Sequence, residues 1–108
     1  MSNYLFIQSQ DPFTEVRSGA QFDLAGRLAV AGHKVRMFLV QNAVTAARKG
    51  VRCAAFDTLL ASGVAVAADA LSLRQREISA EQLNESVNSA ELDVVIQAML
   101  DGDKVIWN

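Results

Sequence analysis

The stretch GVAVAADALSLRQR, Gly63 to Arg76, constrains the chain more than any other. A run of small apolar residues, Val64 to Ala68, ends on the carboxylate of Asp69 and passes without a linker into helix-forming residues. A short continuous apolar run bounded in this way is the pattern of a strand buried on both faces, and such strands belong to parallel sheets covered by helices. In open sheets of that kind the ligand crevice lies just past the carboxyl ends of the strands. Asp69 is therefore expected at the rim of any site.

The rest of the chain alternates in the same manner. Tyr4 to Ile7 reads as a first strand, followed by the polar residues Gln8, Ser9, Gln10 and Asp11 and by Pro12, which forbids regular continuation. From Glu15 to Ala31 the apolar positions Val16, Ala20, Phe22, Ala25, Leu28, Ala29 and Ala31 recur at helical spacing, and Gly32 supplies the stop. Lys34 to Val40 is a second strand, with Gln41 and Asn42 at its carboxyl end and Asn42 placed to cap a short helix from Ala43 to Arg48. A helix over Phe56 to Ser62, with Leu59 and Leu60 inward, leads to Gly63 and the third strand. Ser79 to Gln82 has the spacing of a capping box around a minor helix, Ser79 to Asn84. Glu85 to Val87 reads as a short fourth strand. Ser89 then caps a last helix from Ala90 to Leu100, with Glu91 and Asp93 in its first turn and Leu92, Val95, Ile96, Met99 and Leu100 as its buried stripe. Lys104 to Trp107 is the final strand. The expected fold is one α/β domain over residues 1–108, a three-layer sandwich with right-handed crossovers and a mainly parallel sheet of four or five strands covered on both faces.

Composition narrows the function. A net charge of -2 and a pI near 5.2 give no general electrostatic reason to bind nucleic acid or an anionic membrane. No apolar run approaches about 20 residues, and MSNYLFIQSQD lacks the basic flank and apolar core of a leader, so a soluble, cytoplasmic protein is expected. One cysteine, Cys53, and one histidine, His33, exclude an intrachain disulfide and point away from a Cys/His zinc site. His33 falls in a turn at the edge opposite the crevice and reads as a surface residue. With no GxGxxG and no P-loop, neither a nucleotide cofactor nor a metal is expected. The basic run Arg48, Lys49 and Arg52 is either a solvated helix end or a contact for an anion or acidic partner.

Four segments, YLFIQSQDPF, LAGRLAVAGHKVRMFLVQNAVTAARKG, LLASGVAVAADALSLRQRE and DKVIWN, together resemble the DsrE/DsrF-like family, which includes the TusD-type sulfur-relay subunits. The match spreads over nearly the whole chain. The resemblance implies a DsrE-like sandwich of flavodoxin-like topology, assembled as a homo-oligomer (trimer or hexamer) or as a hetero-oligomer with related subunits. It also implies a role in intracellular sulfur relay with a sulfur donor or acceptor protein as partner. Several members carry a persulfide on a cysteine just after the third strand. In this sequence that position falls on Asp69, and a carboxylate forms no persulfide.

Two residues therefore hold the candidate chemistry, each with two readings. Asp69 either caps the helix that follows it, or acts as a general base or ligand contact in a crevice rimmed by Ser9, Gln10, Asp11, Gln41 and Asn42. Cys53 is either a small, partly buried filler or a displaced sulfur acceptor. It is expected on the same rim, near a helix amino end and beside Arg52, surroundings that favour a thiolate. Trp107, with Ile106, reads as packing or a subunit contact, in keeping with oligomer burial.

Overall fold

A computed structural model describes residues 2–11, 13 and 16–107. Five strands, β1 (Asn3–Gln8), β2 (Lys34–Leu39), β3 (Ala65–Asp69), β4 (Val87–Ala90) and β5 (Lys104–Trp107), form one sheet in the order β4-β3-β2-β1-β5. Every neighbouring pair is parallel. β1 to β4 advance in one direction and β5 crosses back to the far side of β1. The doubly wound architecture is thus present, with this strand order in place of the 2-1-3-4-5 of flavodoxin itself. No helix among the described residues is long and apolar enough to cross a membrane.

The helices α1 (Val16–Val30), α2 (Ala54–Ala61) and α3 (Ala70–Gln75), with a 3-10 helix over Gln41–Ala47, cover one face of the sheet. Their core joins Phe6, Met37, Leu39 and Val66 to Phe22 of α1 and Phe56 of α2, whose rings lie 5.7 Å apart. Gly26 makes the close approach of α1 and α2 possible, since a Cβ there would stand 3.1 Å from Ser62 Oγ. Gly63, at φ +88°, turns the chain from α2 into β3 in the left-handed region. The opposite face carries a smaller core, Leu5, Ile7, Phe38 and Val40, under the helix α4 (Asp93–Leu100), which contributes Val95 and Ala98.

The sequence expectations hold for β1, β2, β3 and β5 and for α1 and α2, with shifts of at most two residues at their ends, whereas the strand expected over Glu85 to Val87 shares only Val87 with the observed β4, Val87–Ala90. Pro12 and Glu15 lie outside the described residues. Three details differ. Asn42 does not cap a helix: the 3-10 helix begins at Gln41, behind the extended Val40. Ser89 belongs to β4, and α4 starts behind Leu92. The expected stripe of α4 buries Val95 but leaves Leu92, Ile96, Met99 and Leu100 more than half exposed, because no second helix among the described residues flanks α4 on its face.

Candidate functional site

Parallel strands deliver their carboxyl ends to one rim, so the residues after β1, β2 and β3 meet there by topology. Gln8, the last residue of β1, is completely buried and donates from Nε2 to the Gln10 carbonyl at 3.3 Å. Ser9, Gln10 and Asp11 follow, all half-buried, and Asp11 Oδ1 accepts the Phe13 N–H at 2.9 Å in an Asx turn. The ladder between β1 and β2 continues one step further, through the Val40 N–H to the Gln8 carbonyl at 2.9 Å.

At the next residue the chain bends sharply. Gln41 has φ +52°, a left-handed conformation that costs an L residue with a side chain about 1–2 kcal/mol. A neighbour from the β3 side holds it. The Gln41 N–H donates to Ser72 Oγ at 2.8 Å, and the same hydroxyl donates to Asp69 Oδ2 at 2.7 Å. Asp69 Oδ2 also accepts the Ser72 N–H at 3.1 Å, which makes Asp69 the N-cap of α3. Arg76, one turn on, donates to the Ser72 carbonyl at 3.2 Å and to Asn42 Oδ1 at 2.8 Å. The rim between β2 and β3 is thus one connected polar network: Gln41, Asn42, Asp69, Ser72 and Arg76.

This arrangement determines what the groups can do. Ser72 is 4% exposed, its proton is directed to Asp69 and an oxygen lone pair to Gln41, so it is built to position its neighbours and not to attack a substrate. Asp69 is half-buried, with both bonds from Ser72 on Oδ2. Oδ1 stands outside that pair. Among the described residues no group of three His, Cys, Asp or Glu side chains comes together to hold a metal ion.

Cys53 is not a member of this network. It is a half-buried free thiol at the N-cap position of α2, packed against the larger core, with no side-chain capping bond. Between the rim and Cys53 the chain is tied to the segment before β4: the Lys49 N–H donates to the Gln82 carbonyl and the Asn84 N–H to the Ala47 carbonyl. That stretch is thereby anchored beside the lead into β4. The basic run is exposed there, and Lys49 stands 3.9 Å from Glu85. His33, in the turn before β2, is half-buried; its Nδ1 accepts the Ser2 N–H and its ring meets Tyr4 edge-on.

Sequence reading missed Ser72 and Arg76. The signal was present in Asp69-Ala-Leu-Ser72, the spacing of an N-cap and its third helical residue, with Arg76 four residues further along the same helical face.

Comparison with known proteins gives the setting. The sequence model of the DsrE/DsrF-like family matches residues 2–107. Among solved structures, the ychN protein from E. coli superposes with a TM-score of 0.87 at 24% identity, covering 100% of both chains. MTH1491 from Methanobacterium thermoautotrophicum, a protein of unknown function, gives 0.86 at 16% identity, again over 100% of both. BT1422 from Bacteroides thetaiotaomicron gives 0.79 at 13% identity, over 99% of this chain and 95% of its own. At these identities the structural likeness speaks for the fold alone. No curated protein matches the chain.

Proposed function

The chain belongs to the DsrE/DsrF-like family, and on that premise we propose that it serves intracellular sulfur relay as an accessory subunit, its rim around Asp69 receiving a partner protein or small ligand without carrying sulfur. The observation behind this reading is the engagement of Asp69. It ends β3, where the resemblance places the persulfide cysteine of sulfur-carrying members, and its carboxylate is tied to Ser72 in the first turn of α3. In this role the protein is cytoplasmic, assembles as a homo-oligomer or with related subunits, and meets a sulfur donor or acceptor protein at the rim.

A second reading makes Cys53 the carrier. The partial exposure of its free thiol at the amino end of α2 favours it. Intact-protein mass spectrometry after incubation with a persulfide donor separates the two. No sulfur-sized mass increase in folded, reduced wild type supports the accessory role. An increase that Cys53→Ser abolishes assigns the transfer to Cys53 and overturns it.

A further inference from the structure

α1 and α2 run side by side in the same direction, with Phe22 against Phe56 and Gly26 against Ser62. The seam between them is not filled. A groove of about 470 Å³ follows it, within the roughly 300–1,000 Å³ of small-molecule sites. Its cause is the residue type at each turn. Gly19 and Gly26, seven residues apart, lie on one face of α1, and Ala54, Ala55 and Thr58 put only short side chains on the facing side of α2. Phe22 and Leu59, each 1% exposed, close the bottom. From Gly19 to Val30 the wall of α1 is about 16 Å long, at 1.5 Å per residue. The space is long and narrow, the shape of one aliphatic chain.

Charge distinguishes its ends. Asp23 and Arg27, the two charged residues of the lining, pair with each other at 3.0 Å with both side chains mostly in solvent, so the middle of the groove asks for no charge. Ser62 Oγ donates to the Thr58 carbonyl at 2.7 Å, which engages its proton within the chain. The lower end, at Val30 and Ser62, carries no charge. At the upper end Ala54 and Ala55 open α2, whose N-cap Cys53 makes no side-chain bond to the helix. Arg52, the residue before Cys53, is exposed and pairs with no acidic group among the described residues. Asp57, the acidic residue of that first turn, falls on the other flank of α2 at 3.6 residues per turn and is not part of the lining. Arg52 and the dipole of α2 thus favour an anionic head at the upper end, with an apolar tail running towards Val30.

We propose that the groove between α1 and α2 binds a free medium-chain fatty acid, its carboxylate at Arg52 and its hydrocarbon chain laid along Gly19, Gly26 and Ala55. Apolar burial supplies the affinity and the head group sets the direction of the chain. The groove shares no residue with the rim around Asp69, and its test reads no sulfur chemistry, so this inference and the proposed function fail separately.

Isothermal titration calorimetry of the whole chain with dodecanoate, kept below its micelle concentration, tests the site. Wild type is expected to bind one dodecanoate per chain with a Kd on the order of 100 µM or tighter. Octanoate, four methylenes shorter, is expected to bind at least about 10-fold more weakly. Gly19→Leu plugs the upper half of the groove: nothing lies within 4 Å of a Cβ there, so the new side chain enters open space, and circular dichroism checks that the variant folds. It is expected to weaken dodecanoate by about 10-fold or more. Arg52→Glu, at an exposed position, sets a like charge beside the head and is expected to weaken dodecanoate roughly 5- to 10-fold. No saturable binding to wild type, equal affinity for octanoate and dodecanoate, or wild-type affinity in either folded variant overturns the proposal.

Discussion

The Ser72 hydroxyl stands 2.7 Å from Asp69 Oδ2 and at the same time accepts the Gln41 N–H at 2.8 Å, so one buried side chain joins the end of β3 to the end of β2. A hydroxyl-to-carboxylate bond of this length is charge-assisted. It leaves the hydroxyl proton no other partner, and it holds the left-handed Gln41 in place at the mouth of the crevice.

Ser72→Ala strands two partners at once, the Gln41 N–H and one lone pair of Asp69. With Ser72 buried, the expected loss is about 1–3 kcal/mol, read as a lower urea midpoint at unchanged slope. A midpoint equal to that of wild type contradicts the network.

Gln41 separates backbone strain from side-chain contact. Gln41→Gly suits φ +52° and is expected to leave stability unchanged or slightly raised. Gln41→Val places a β-branched residue in a region it resists and is expected to cost about 1–2 kcal/mol. Equal midpoints for the two variants contradict the left-handed assignment.

The two cores and the exposed side of α4 differ in what they do for the single chain. Phe56→Ala opens the packing against Phe22 and is expected to cost about 3–5 kcal/mol. Leu100→Ala, at a side chain 76% exposed, is expected to change monomer stability by less than about 0.5 kcal/mol in dilute solution. A large loss at Leu100 under those conditions would place it in the core of the monomer.

Much of this fold is legible because a parallel strand is a local signal. Lys34 to Val40 and Val64 to Ala68 are apolar runs bounded by turn residues, and the left-handed turns that precede them fall on Gly32 and Gly63. The last helix departs from expectation for a physical reason. The 3.6-residue period of Leu92, Ile96 and Met99 marks an apolar face, but it does not say whether that face is covered by the chain's own sheet or by something outside it. Ser89 is a good capping residue that lies instead on the exposed part of the edge strand β4, where local propensity yields to pairing with β3. At the rim Asp69 is readable as a strand-ending cap, whereas the Ser72 link to Gln41 spans 31 residues and needs the fold to exist. Cys53 opens α2, the helix that returns the chain to β3, whereas the anchorage of the preceding stretch to Gln82 and Asn84 spans more than 30 residues and is not readable from the sequence.

The central claim is that the end of β3 is the sulfur-carrying position of the fold and that Asp69 closes it to that chemistry. Intact-protein mass spectrometry of wild type and Asp69→Cys, both carrying Cys53→Ser and both exposed to a persulfide donor, tests it most directly. In the transfer, the thiolate introduced at position 69 attacks the donor's sulfane sulfur, and the donor leaves as its thiol. The account predicts one sulfur-sized mass increase on the Asp69→Cys protein and none on its Asp69 counterpart. Failure of the folded Asp69→Cys protein to load would contradict it.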